Sequence, residues 1–233
     1  MRSVFVLAGG QGARLRPYTL VLPKPLMPLG QESILERLLK GVGSANPVHV
    51  TVSIGYLGHL VEAVIRDGDQ FGLQVSYTRE DEPLGTAGAI NLLPYELAED
   101  DVLLVLNGDT LTNIDFDGLM SWFEGTDLDA AMVCVDREVS IDFGVVNADS
   151  NGMLVDIAEK PQIAHLLSTG INLLRGRTLA QLGAGRVDMP DFLMGLVSSG
   201  AKVACHTTDA LWMDLGRADD FTKANDMILE GLL

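Results

Sequence analysis

The stretch VFVLAGGQGARLRPYTLVLPKPLMPL, Val4–Leu29, decides the fold. Its first five residues, Val4–Ala8, form an apolar run without polar alternation, the pattern of a strand covered on both faces of a parallel sheet. Gly9, Gly10 and Gly12 follow at once. Glycines that leave a buried strand let backbone N–H groups approach an anion closely. Arg14, Arg16 and Lys24 come next, set among Pro17, Pro23 and Pro25. Glycine after a strand is common in solvated loops, but three cations held among prolines point to a phosphate-gripping loop. Neither standard phosphate motif fits. Leu15 stands where the third glycine of G-x-G-x-x-G belongs, and Walker spacing before Lys-Ser/Thr is absent.

The overall charge sharpens this reading. Sixteen Lys and Arg stand against 32 Asp and Glu, a formal net charge of −16. So acidic a chain repels the phosphates of nucleic acids and anionic membranes, and neither is an expected partner. Phosphates would instead be met by a few placed cations, backbone amides or a metal. Apolar residues make up 47% and charged residues 21%, which argues against disorder. No run of 18 uncharged apolar residues offers a membrane span. Cys134 and Cys205 lie in apolar runs without C-x-x-C spacing, so both are expected as buried free thiols in a reducing, cytoplasmic setting.

Working outward, short branched runs alternate with amphipathic segments. Strands are expected at Val4–Ala8, Val48–Ile54, Gln74–Thr78 and Val102–Leu106. Helices are expected after the Ser33 cap, at Leu60–Ile65 and at Ala87–Leu93. From about residue 126 the pattern becomes hairpin-rich, with strands at Ala130–Val135, Gly144–Val146, Leu154–Ile157, Thr169–Leu174 and Lys202–His206. A helix opens at Asp188-Met189-Pro190, and another covers Ala218–Glu230. The fold class is α/β: one Rossmann-like three-layer domain over 1–233, with a mixed, mainly parallel central sheet. A nucleotide-binding half would run to about residue 125 and a second half from about 126 to 233.

Two carboxylates stand out. Asn107-Gly108-Asp109 ends a buried strand where open α/β sheets place ligands, although it is also good turn chemistry. Asp214, between Met213 and Leu215, fits a helix cap equally well.

At this point the chain resembles the sugar-1-phosphate nucleotidylyltransferases. Leu7–Leu29 carries the family's glycine-rich run, Arg-Leu and Pro-Lys-Pro. EDEPLGTAGA (Glu80–Ala89), LNGD (Leu106–Asp109), FGVV (Phe143–Val146), EKP (Glu159–Pro161), STG (Ser168–Gly170) and WMDLGRADDF (Trp212–Phe221) follow in the family's order. The resemblance implies a nucleotidyltransferase fold of GT-A-like topology, and transfer from an NTP to a sugar 1-phosphate with release of pyrophosphate. It implies Arg14 and Lys24 as catalytic cations, and Mg²⁺ held by Asp109 and Asp214. Leu7, Ala8, Gly9, Gly10, Gly12, Glu80, Pro83, Gly85 and Thr86 would surround the nucleotide. Asn107, Gly144, Glu159, Lys160 and Thr169 would meet the sugar phosphate.

The likeness leans towards the guanylyltransferase type, since a Glu80 carboxylate can accept guanine's two adjacent donors. UTP or dTTP as donor is the alternative. A non-catalytic paralogue that binds nucleotide sugars is another, and a glycosyltransferase using Asp115-Phe116-Asp117 a third. Association into a homo-oligomer stays open at this level.

Overall fold

The computed structural model describes residues 1–216 and 218–231. Seven strands form one sheet: β1 (Arg2–Ala8), β2 (His49–Ile54), β3 (Val75–Arg79), β4 (Val102–Asn107), β5 (Ala130–Ser140), β6 (Gln162–Arg175) and β7 (Val203–Thr207). Their spatial order is β7-β5-β6-β4-β1-β2-β3. Every neighbouring pair is parallel except those made by β6, which runs against both β4 and β5. The mixed, mainly parallel sheet read from the sequence is therefore present.

Alternation along β1 explains the three layers. Val4 and Val6 pack with α1 (Ile34–Gly43), α2 (Gly58–Ile65) and α3 (Phe116–Glu124), while Phe5 packs on the opposite face with α4 (Met189–Ser198). The α1 cap is a reciprocal pair. The Glu36 amide donates to Ser33 Oγ at 3.2 Å, and the Ser33 amide donates to Glu36 Oε2 at 2.7 Å. A third apolar cluster joins Leu15, Met27 and Leu29 to Leu215 and to Ala224 of the last helix, α5 (Ala218–Leu229). Among the described residues no helix is long and apolar enough to cross a membrane.

The chain leaves β1 to build β2 and β3 on one side, then returns to place β4 on the other. This reversal opens a crevice beyond the carboxyl ends of β1 and β4, the usual ligand position in such sheets.

The structure corrects several expectations. Ala87–Leu93 is a single helical turn, Gly85–Gly88, followed by 3-10 backbone over Ala89–Leu92. Thr169–Leu174 is only the inner end of a 14-residue strand, whose outer end pairs with an extended β5 to form an arm. Val139 lies opposite Ile163 there, and the intervening chain adds the hairpin Val145–Ala148 with Leu154–Ala158. Cys134 is buried, with burial and the neighbouring Cys205 pushing its thiol up to about 11; Cys205 itself is exposed on the edge strand β7. Asp115 caps α3 through the Gly118 amide at 3.1 Å, and Asp117 pairs with Arg2. The Asp115-Phe116-Asp117 carboxylates are thus engaged structurally.

Candidate active site

The glycine loop is pinned from below. Leu15, the residue that breaks G-x-G-x-x-G, is buried and anchors the loop in the third apolar cluster. Arg14 beside it is left exposed. Gly12 adopts a left-handed backbone (φ +58°), and its carbonyl accepts from the Leu15 amide and from Thr19 Oγ1, both at 2.9 Å. A Cβ there would come 2.8 Å from Thr19 Cγ2, so only glycine lets the loop close this tightly. Beside Gly10 the space is open, which leaves its backbone free to meet a ligand.

Lys24 returns in a one-turn 3-10 helix between Pro23 and Pro25, and only 7% of it is exposed. A lysine so buried requires carboxylate partners. Its ammonium makes a close ion pair with Asp109 Oδ2 and lies 3.5 Å from Asp214 Oδ1. Asp109 follows β4. Asp214 ends the short strand Trp212–Asp214, which pairs antiparallel with Thr110–Thr112 and sets Asp214 opposite Thr110. The Leu215 amide donates to the Asp109 carbonyl at 3.3 Å, and Trp212 Nε1 donates to the Thr169 carbonyl at 2.8 Å. Two carboxylates far apart in the chain are thereby fixed on one ammonium. Arg14 Nη2 completes the cluster, 3.9 Å from Asp214 Oδ2.

Gly216 makes room for this arrangement. A Cβ there would stand 2.8 Å from Arg14 Nη2 and 3.0 Å from Asp214 Oδ2. The flexible guanidinium would yield. Gly216→Ala is therefore expected to lower kcat by about 10–100-fold through displacement of Arg14, with the melting midpoint unchanged; thermal unfolding and steady-state kinetics on one preparation check both halves.

Arg14, Lys24, Asp109 and Gly216 border a cleft of about 850 Å³ at the crevice between β1 and β4. Every sequence-derived nucleotide residue lines it: Leu7, Ala8, Gly9, Gly10, Gly12, Glu80, Pro83, Gly85 and Thr86, together with Arg14, Lys24, Asn107 and Asp109. The 83–88 segment is held by the chain before α4. The Val187 amide donates to the Leu84 carbonyl at 2.8 Å and the Met189 amide to Thr86 Oγ1 at 2.7 Å. Gly85 has φ +77°, and a Cβ on it would meet the Val187 carbonyl at 2.5 Å. Asn107 lies against Gly170, where a Cβ would be 2.3 Å from Asn107 Nδ2.

The sugar-phosphate residues are more dispersed. Glu159 and Lys160 are exposed beyond the arm hairpin, outside the cleft, and Gly144 faces Glu159 Oε2, 3.1 Å from where its Cβ would be. Thr169 is buried, its hydroxyl donating to the Val133 carbonyl at 2.8 Å. A second cleft of about 890 Å³ runs between the arm and α5, and Arg14 lines both clefts. Asp214 faces this second one.

Sequence reasoning missed Ser53, the Leu84 amide and Gly216. Ser53 Oγ donates to Glu80 Oε1, and the Leu84 amide donates to Glu80 Oε2, each at 3.0 Å. A signal for Ser53 existed, since a hydroxyl buried near the end of a central strand calls for a partner.

Comparison with known proteins agrees with this geometry. Over 232 residues the chain is 29% identical to a mannose-1-phosphate guanylyltransferase of Mycobacterium tuberculosis, covering 97% of this chain and 64% of that protein. Over 240 residues it is 29% identical to a UTP–glucose-1-phosphate uridylyltransferase of Synechocystis, covering 95% and 62%. The chain thus spans a little under two thirds of the length of these relatives. Two solved structures share its fold. A putative glucose-1-phosphate thymidylyltransferase from Bacillus anthracis has a TM-score of 0.77 at 23% identity, covering 97% of this chain and 95% of its own. HddC from Yersinia pseudotuberculosis complexed with GMP-PN has a TM-score of 0.75 at 23% identity, covering 98% and 100%. The family model for nucleotidyl transferases matches residues 3–231, and with the glycine loop, the acidic pair and the switch-point cleft in place, the chain belongs to the nucleotidyl transferase family.

Proposed function

We propose that the protein transfers a nucleotidyl group from an NTP, with GTP preferred, to a sugar 1-phosphate, giving an NDP-sugar and pyrophosphate. The observation that carries this reading is the convergence of Lys24, Asp109, Asp214 and Arg14 where the switch-point cleft adjoins the second cleft. The names of the two curated relatives, a guanylyl- and a uridylyltransferase of sugar 1-phosphates, support the same reaction class. Substrates of this kind are charged and water-soluble, and the reaction is assigned to the cytoplasm.

A phosphate monoester has a second pKa near 6, so the attacking oxygen is already anionic at neutral pH and needs no general base. The chain has to align the two phosphates and offset their charge as the sugar phosphate attacks the α-phosphorus in line. Arg14 and the amides of Gly10–Ala13 receive the pyrophosphate leaving group. Lys24 turns from the carboxylates to the α-phosphoryl oxygens, and Lys160 meets the attacking phosphate. Asn107, Gly144 and Glu159 complete the sugar side, while Thr169, expected there from the sequence, is buried with its hydroxyl on the Val133 carbonyl and serves the strand instead.

The acidic pair fits a resident Mg²⁺. Asp109 and Asp214 bring two hard carboxylates to one cation. Among the described residues no group of three or more His, Cys, Asp or Glu could hold a metal ion, so the pair would rely on substrate phosphates and water for the remaining ligands. Mg²⁺ is commonly held by one or two carboxylates plus substrate phosphates. Bound there, it would offset phosphate charge and keep the two substrates in register.

Glu80 favours GTP because a carboxylate can accept guanine's N1–H and 2-amino donors together. The paralogue reading is disfavoured by the presence of Arg14, Lys24, Asp109, Lys160 and Asp214 in one chain. Arg14→Ala is expected to lower kcat by about 10²-fold, the usual effect of removing one preorganised donor, with a normal melting midpoint; turnover within about threefold of the parent would remove Arg14 from the mechanism. The reading as a whole is tested by incubating the chain with Mg²⁺, each of GTP, UTP, dTTP and CTP, and a panel of sugar 1-phosphates. Chromatography should detect one NDP-sugar formed best from GTP. Sugar-nucleotide binding without any product would favour the paralogue.

A further inference from the structure

We infer that Ser53 is a positioning residue that sets nucleotide specificity by fixing the plane of the Glu80 carboxylate. The inference rests on Glu80 reading the base, as proposed above. Ser53 is fully buried on β2, and its hydroxyl donates to Glu80 Oε1 at 3.0 Å. The Leu84 amide donates to the other oxygen, Oε2, at the same distance. The Glu80 amide donates to the Ile54 carbonyl at 3.1 Å, and a Cβ on Gly9 would stand 3.0 Å from Oε1. The carboxylate is thus gripped from β2 and from the 83–88 segment, with room left for it beside Gly9, while it lines the cleft.

The grip matters because the last torsion of a glutamate is soft. One donor would leave the carboxylate free to swing; two donors on different oxygens hold its plane. Each oxygen keeps a free lone pair for the ligand, and two coplanar acceptors match a base edge with two adjacent N–H donors. The two internal donors also differ in kind. An amide can only donate, so Leu84 demands oxygen on its side; a hydroxyl donates or accepts, so Ser53 tolerates oxygen or NH₂. Glu80→Gln would therefore settle with its oxygen on Leu84 and its NH₂ on Ser53. It would then present one donor and one acceptor, the pattern that a uracil edge needs.

The test is steady-state kinetics of the full chain with GTP and with UTP, at a saturating level of the best sugar 1-phosphate. Ser53→Ala is expected to raise KM for GTP about tenfold with kcat within about threefold, and to lower the GTP-to-UTP ratio of kcat/KM about tenfold, the scale of one lost hydrogen bond to a charged group. Ser53→Thr, which keeps the hydroxyl, is expected to restore the ratio. Glu80→Gln is expected to move the ratio towards UTP. A shifted ratio in Glu80→Gln with an unchanged one in Ser53→Ala overturns the role of Ser53 and leaves the base reading standing. An unchanged ratio in Glu80→Gln removes the base reading and the role of Ser53 with it. An equal loss of kcat with both nucleotides in Ser53→Ala marks Ser53 as structural and also overturns the inference.

Discussion

Asp109→Asn is expected to lower kcat by about 10³-fold at saturating substrates, among the largest losses expected of a single substitution in the site. The substitution keeps the shape of the side chain and removes its charge. Asp109 is one of two carboxylates that converge on Lys24, and its backbone carbonyl ties it to the segment carrying Asp214. The amide leaves that backbone pairing intact, so the fold is expected to persist. What would be lost is half of the negative charge assigned to holding Mg²⁺ and directing Lys24. Asp214→Asn is expected to behave alike, and the double variant to lose little more than either single one, because residues that act as a unit are not additive. Turnover of Asp109→Asn within about tenfold of the parent would contradict the assignment.

Lys24→Met should cost about 10²–10³ in kcat, the scale for removing one preorganised cation from a reacting phosphoryl group. Methionine is the informative replacement because Lys24 is almost wholly buried, and alanine would add a cavity to the loss of charge. The two carboxylates would then face each other without their ammonium. KM for the nucleotide is expected to change much less than kcat, since Lys24 is assigned to the α-phosphoryl group as it reacts. The opposite split, a raised KM with kcat preserved, would make Lys24 a binding residue only.

Much of the chain was legible because its signals are local. Val4–Ala8 of β1 and Val102–Leu106 of β4 are uninterrupted apolar runs, Ser33 and Glu36 carry a capping box, and in the back half the turn Asp149–Gly152 carries its own chemistry, with Asp149 Oδ1 accepting from the Asn151 amide at 2.9 Å. Leu15 shows how a motif can fail and still inform: it occupies the third glycine's place because that residue packs in the core. The arm was not legible. Residues 162–168 are exposed on both faces, except half-buried Leu167, and have no core to impose an alternation, so nothing marked them as strand. The meeting of Asp109 with Asp214 depends on two three-residue strands, Thr110–Thr112 and Trp212–Asp214, too short to show any period. Only the resemblance to relatives had paired those carboxylates. Ser53 and Gly216 act through what stands beside them in space, and no spacing in the sequence reports that.

The most direct measurement of the central claim is pyrophosphate release in the presence of Mg²⁺, GTP and sugar 1-phosphate, followed alongside NDP-sugar formation, with Asp109→Asn as the blank. The expected result is release that depends on the sugar 1-phosphate, matches NDP-sugar one to one, and disappears in the blank. Pyrophosphate released without sugar 1-phosphate, or at equal rate in the blank, would contradict the assignment of this cleft to nucleotidyl transfer.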